Sequence, residues 1–529
     1  MDHSYIPPEH VDSTFHQISL CRTSVQNELS GEYILPDYIG DVKRILHTYA
    51  RPKHTECSME GRKVTYSGET VFTVLLQTND GKTASTVLSL EYNGSCDCEP
   101  YEGDASAYAH PTCESVSARL LSPRKICINA KMKNMISVWG SEPIAPMIEG
   151  THESGDEAAL EERFDTVQSA RVFRTERDGI TLSEDMVLDG SDAVIGEILY
   201  LGAELALPDC RAGGGRISSS GNAVVTAICT DPDGHPFSVS RHFDITDSAE
   251  CEFPDGCSIW AFPSVESIKA SVSPNSYGEN KVIELDMVWA YAAEGAYNGD
   301  TRLLRDAYST DYVCENVYAP VTVSKLCRCD RLHFSVNHSR PREDLGAQNV
   351  RKIICTTVCL QTGSFSPNAS GNLQYSSNAD MTMIAECEDG EIRNLHDTFP
   401  VTFDTDMKVT GGSWDIRASA ENVRGRLDSS AVYCDFEAVL CLTVMEKQNE
   451  SCLMEIRFDR DNPLCETDRP FMTLYYPHDG EQIWDIARKY HTTCEQICTA
   501  NHITSDAVHG EKVLLIPQNR RKSLFSGVI

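Results

Sequence analysis

One pattern constrains this chain more than any other: a β-type block that recurs three times. Its first copy is residues 71–76, Val-Phe-Thr-Val-Leu-Leu, rich in β-formers. Asp80-Gly81 then supplies a hairpin turn, and residues 86–90 supply the returning strand. Farther on, Ile126, Ile128, Ala130 and Met132 alternate with polar or small residues, the period of a strand with one face buried. In the second copy, Ile195, Ile198 and Leu199 precede residues 223–229, the turn Asp233-Gly234, and alternating Ile283, Leu285, Met287 and Trp289. The third has Val350, Ile353 and Ile354, residues 381–385, the turn Asp389-Gly390, and alternating Val432, Cys434, Phe436, Ala438 and Leu440.

The spacing argues for true repeats. Ile45 to Gly81 and Ile198 to Gly234 each span 36 positions, and Ile353 to Gly390 spans 37. A period of about 155 residues is far too long for a solenoid. A chain of 529 residues is also too long for one core. The expected fold is therefore mainly β, with three tandem β-rich domains at 1–141, 165–311 and 312–458. Residues 142–164 are acidic and marked by Pro and Gly, and are expected to be a mobile connector. Residues 459–470, with Pro463 and Pro470, are expected to be a hinge, and 519–529 a basic tail carrying Arg520, Arg521 and Lys522.

Between hinge and tail, residues 471–518 read in β-α-α-β order. His478-Asp479-Gly480 is turn chemistry. Ile483, Ile486, Ala487 and Tyr490 repeat at helical spacing. Thr492 or Thr493 suits the start of a second helix, whose inward face is Ile497, Cys498 and Ala500 and whose stop is Asn501. Gly510 opens a last strand that ends at Pro517. This order, with Gly480, Trp484, Ile486-Ala487, Tyr490, Ala500-Asn501, Gly510 and Ile516-Pro517 in register, resembles a LysM module. That family is known for binding peptidoglycan and chitin. LysM modules usually carry Asp, then Thr or Ser, after the turn glycine, in the loop lining the sugar groove. Here those places hold Glu481 and Gln482, which favours a protein ligand.

Leu35-Pro36-Asp37, Ser122-Pro123-Arg124-Lys125-Ile126 and Asp306-Ala307-Tyr308-Ser309-Thr310 resemble the SPOCS domain of spore-forming Firmicutes. The second and third repeats lack the Leu-Pro-Asp and Ser-Pro-Arg-Lys runs. Three such domains and one LysM module resemble a clostridial coat-assembly family. The resemblance implies a non-enzymatic adaptor in the mother-cell cytoplasm, at the forespore surface. Its implied partners are the coat ATPase (stage IV sporulation protein A) and coat proteins. The contact face is expected to comprise Gly480, Glu481, Gln482, Trp484, Ile503 and Thr504. Trp484 suits either packing or an exposed docking anchor. The alternatives are a peptidoglycan-binding protein of the spore cortex or wall, and a wall hydrolase.

The formal net charge is −33, from 79 acidic and 46 basic residues. Such a surface repels nucleic acid and anionic membranes. No apolar run approaches the roughly 20 residues of a membrane span. The first ten residues have neither the basic nor the apolar region of a signal peptide. The 22 cysteines are accordingly expected to be reduced and mostly buried. Cys96/Cys98 and Cys327/Cys329 come closest to ligand spacing, but neither has a second pair at zinc-ribbon distance, so no metal or cofactor is expected. Serine-hydrolase, P-loop, zincin and dinucleotide motifs are absent from the sequence, so no catalytic residue is expected.

Overall fold

The computed structural model describes residues 15–53, 55–143, 147–149, 160–188, 193–408, 413–464, 470–503 and 513–517. The strands of the first unit are β1 (Phe15–Ile34), β2 (Val42–Pro52), β3 (Glu56–Glu60), β4 (Lys63–Thr78), β5 (Thr83–Asp97), β6 (Ala105–Ser122) and β7 (Lys125–Pro143). They form two antiparallel sheets. One runs β1-β7-β6; in the other, β4 is flanked by β5 on one side and by β2 then β3 on the other.

After the short β8 (Met147–Glu149), the middle unit has β9 (Leu160–Val187), β10 (Glu197–Gly213), β11 (Arg216–Thr230), β12 (Pro236–Glu250), β13 (Ser258–Pro274) and β14 (Asn280–Ser309). Its sheets run β10-β11-β12 and β9-β14-β13. The third unit has β15 (Tyr312–Pro341), β16 (Val350–Leu360), β17 (Ser364–Pro367), β18 (Asn372–Cys387), β19 (Ile392–Lys408), β20 (Ser413–Leu427) and β21 (Ala431–Pro463). There β18 sits between β19 and the pair β16 and β17, and the second sheet runs β15-β21-β20. All three units thus share one strand order, and the fold is mainly β. No helix among the described residues is long and apolar enough to cross a membrane.

The turns anticipated at Gly81, Gly234 and Gly390 join the central strand of each first sheet to its neighbour, with φ of +85°, +89° and +79°. Glycine reaches that region without the steric cost of a side chain. The alternating runs also face inward as expected. Ile126, Ile128 and Met132 are buried in the first unit, Ile283, Leu285, Met287 and Trp289 in the middle one, and Val432, Cys434 and Leu440 in the third.

A bulge in each copy explains how the units meet. Pairing slips between Ile45 and His47, between Ile198 and Tyr200, and between Ile353 and Cys355. The skipped residues are Leu46, Leu199 and Ile354. A one-residue slip turns the following side chains to the other face. All three skipped residues pack into one shared cluster with Leu75, Ile228 and Ile384 from the central strands. Along β4, Val74 and Leu76 face the first unit's own core while Leu75 faces this hub. The central strands are therefore apolar on both faces, which is why residues 71–76 run without alternation. Tyr49 of the first unit stacks on Tyr200 of the middle unit, with centroids 3.9 Å apart.

A second junction is polar. Glu294 of β14 accepts from Arg417 of β20 at 2.8 and 2.9 Å and from Arg174 of β9 at 3.2 Å. Arg174 lies over the Tyr108 ring of the first unit, and Arg417 over Phe262. Burial works against the Glu294 charge, yet these guanidiniums and Arg22 hold its carboxyl below the usual range.

Two segments differ from the expected connectors. Met147–Glu149 of the acidic stretch pairs parallel with Glu455–Arg457, and β9 begins inside that stretch at Leu160. Residues 150–159 lie outside the described residues. At the expected hinge, β21 continues to Pro463, paired with Tyr312, and residues 465–469 lie outside the described residues. The physical reason is edge satisfaction: the long β15 offers hydrogen-bonding groups to the far end of β21, so that end continues as strand.

Candidate functional site

The C-terminal module follows the β-α-α-β order: β22 (Met472–Tyr475), α1 (Ile483–Tyr490), α2 (Cys494–Asn501) and β23 (Leu514–Pro517). The turn before α1 closes with the Glu481 amide donating to the His478 carbonyl at 3.1 Å, while Gly480 takes φ +81°. The Thr493 side chain accepts from the Gln496 amide and caps α2. Ile483, Ile486, Ala487, Ile497, Leu514 and Ile516 form the small core. Asn501 does more than end α2. Its amide donates to Ile497 O at 2.8 Å and Leu515 O at 2.6 Å, and its carbonyl accepts from Leu515 N at 2.7 Å. It latches the last strand to the second helix.

The six expected contact residues fall in different environments. Glu481 is engaged within the module: its carboxylate accepts from the Tyr475 hydroxyl at 2.8 Å and the His478 amide at 3.0 Å. Burial opposes its charge, but those two donors hold the carboxyl below its ordinary range. The same bond pushes the Tyr475 hydroxyl up to about 12. Gln482 accepts from Arg163 of β9 at 2.7 Å. Ile503 packs half-buried against the module core. Gly480 is a turn residue with open space where a Cβ would sit. Thr504, like Gly510 and the tail, lies outside the described residues.

Trp484 is 6% exposed and faces the middle unit. Its indole N–H donates to Asp306 at 2.8 Å, and its ring meets Tyr308 edge-on at 5.0 Å. Arg488 donates to the same Asp306 oxygen at 2.6 Å. The Tyr308 hydroxyl donates to the Thr492 carbonyl at 2.7 Å. The end of β14 is thus a dock for the module. Asp306 and Tyr308 stand two apart on a strand and so share one face.

The two-stranded sheet of the module carries a surface that the sequence reading missed. On the two-stranded sheet, Leu474 pairs with Leu515 and Met472 with Pro517, so these side chains share a face. Leu474 is 64% exposed and the adjoining Tyr476 71%; Phe471, Met472 and Val513 are exposed beside them. The alternation of Met472, Leu474 and Tyr476 was a visible signal. It does not distinguish an outer apolar face from an inner one.

Residues 479–517 match the model of the LysM domain. The C-terminal module is a LysM domain. A LysM domain points to binding of peptidoglycan or another carbohydrate. No curated protein and no solved structure matches the chain.

Cys98 is buried and Cys327 exposed. Among the described residues, one group has metal-ligand character, Asp231, Asp233 and His235 in the exposed β11–β12 turn. Asp231 there already accepts from the His235 amide at 2.8 Å, as a turn-forming carboxylate does.

Proposed function

We propose that this chain is a non-enzymatic adaptor that holds a protein partner through its LysM domain. The observation that carries this reading is the exposed apolar face of Met472, Leu474 and Tyr476 beside Phe471 and Val513. Apolar side chains clustered on so small a domain suit a protein interface. The loop where LysM domains contact sugar supports the same reading, since the Glu481 carboxylate already bonds Tyr475 and His478 and Gln482 already bonds Arg163. In this reading Trp484 clamps the domain to β14 and Gln482 ties it to Arg163 of β9.

The arrangement of three repeats and one LysM domain resembles SipL, a clostridial spore coat protein with SPOCS domains. That resemblance supplies the proposed setting: the mother-cell cytoplasm, at the forespore surface. It also supplies the partner, the coat ATPase named stage IV sporulation protein A, with coat proteins held by the three β units. Several linked weak contacts raise the effective concentration of each next one.

The test is affinity capture from sporulating cells with the full chain and with a Leu474→Asp, Tyr476→Asp form. Capture of the ATPase by the first and its loss from the second is expected. Equal capture by both removes the apolar face from the interface. The LysM match favours a second reading, binding of peptidoglycan in the cortex or wall. Co-sedimentation with purified peptidoglycan, unaffected by the double substitution, would favour it.

A further inference from the structure

A cleft of about 400 Å³ lies between the first and middle units, lined by Arg51, His110, Arg174, Leu205, Phe262 and Pro263 among others. Its volume falls in the usual range for small-molecule sites. Four cations line it, and three of them have carboxylates. Lys53 pairs with Glu69 at 2.6 Å, Arg177 with Asp247 at 3.5 Å, and Arg174 with Glu176 and Glu294 at 2.9 and 3.2 Å.

Arg51 is different. At the end of β2 it is half-buried, and its side chain makes no hydrogen bond or ion pair with any described residue. Its Nε–H is sealed from solvent without an acceptor. A guanidinium does not shed its proton in a protein, so this charge is partly desolvated and uncompensated. That is unexpected in a chain of net charge −33, where carboxylates are abundant. The carboxylates lining the cleft are otherwise placed. Glu176 is on Arg174, Glu266 accepts from the Gly179 amide at 3.3 Å, and Asp178 stands exposed. The lining also includes Leu205, Phe262 and Pro263, an apolar wall.

We propose that this cleft binds a small organic carboxylate, its charged end on Arg51 and its apolar body against Phe262, Pro263 and Leu205. The planar guanidinium fork matches a carboxylate geometrically. The wall sets the selectivity, since a bare inorganic anion gains nothing from it. A ligand so placed touches both units and stabilises their junction. The site is independent of the LysM domain and of the adaptor reading.

The test uses the full chain in thermal unfolding, with benzoate, 2-naphthoate and inorganic phosphate as probes. Benzoate or naphthoate should raise the midpoint saturably, by about 2 °C at roughly tenfold excess over its dissociation constant. Phosphate at equal ionic strength should not. Arg51→Gln should abolish the shift, and Arg51→Lys should keep part of it. Should Arg51→Gln fail to fold, Pro263→Trp, which fills the cleft and keeps Arg51, should abolish the shift. No saturable shift in the wild type overturns the proposal. So does a shift that survives Arg51→Gln or Pro263→Trp, and so does a phosphate shift equal to that of benzoate.

Discussion

The LysM domain is held to β14 mainly through one carboxylate, and Asp306→Asn tests that reading. One Asp306 oxygen receives the buried Trp484 N–H at 2.8 Å and Arg488 at 2.6 Å. The other accepts from Tyr318 at 3.0 Å and Asn316 at 3.2 Å. A hydrogen bond to a charged group contributes about 1.5–3 kcal/mol, against about 1 for a neutral one. Neutralising the acceptor for Trp484 therefore removes about 1–1.5 kcal/mol. Arg488 is 45% exposed, so its ion pair is screened and adds roughly 0.5 kcal/mol. The sum, about 2 kcal/mol, is roughly a thirtyfold shift of the docking equilibrium. Amide exchange followed by mass spectrometry reads this directly. Peptides covering the end of β14 and α1 should exchange about thirtyfold faster in the variant, while the β4 and β18 peptides should not change. Acceleration under threefold at β14 would refute the claim that this carboxylate holds the domain. Uniform acceleration throughout the chain would refute the locality of the effect.

Glu294→Gln should leave Arg174 and Arg417 without their shared carboxylate and cost about 3–5 kcal/mol in urea unfolding at pH 7. The Glu294 carboxyl is held below its unfolded value of about 4.3, so its contribution is complete above that pH and lost as pH falls through the lower folded value. Wild type and variant should therefore converge in stability below about pH 4, and a gap that stays constant with pH contradicts the ion-pair account. Leu199→Ala should open a cavity in the hub, lower stability by about 2–4 kcal/mol and speed proteolysis between units; a loss under 0.5 kcal/mol contradicts tight packing there. Iodoacetamide at pH 8 should label exposed Cys327 first. Cys229 and Cys434, pushed up to about 12 by burial, should stay unlabelled, and equal labelling rates would contradict their burial.

Elements carried by local chemistry were legible in the sequence. Asp-Gly turns, inward alternation at residues 126–132 and 432–440, and the Thr493 cap all depend on neighbours within a few positions. The stretch at Ile45 and Leu46 was harder, because two adjacent apolar residues break the period of two that marks a strand. The bulge at Leu46 explains it: adjacent apolar residues serve opposite faces of one strand. The docking of Trp484 was not legible for a different reason. Its partners Asp306 and Tyr308 lie about 180 positions upstream, and no local period records a contact of that separation. The outer LysM face was missed because alternation fixes which residues share a side, not which side is covered.

The bulged leucines have a consequence for how such a chain is assembled. A single repeat excised from it would present a greasy back formed by one bulge residue and one central-strand residue, and would satisfy that back by gathering two companions. Joining three copies in one polypeptide makes that gathering independent of dilution. It also frees each copy to diverge: Leu46 and Leu199 can coexist with Ile354, and one repeat alone, the middle one, has acquired the seat on which Trp484 rests.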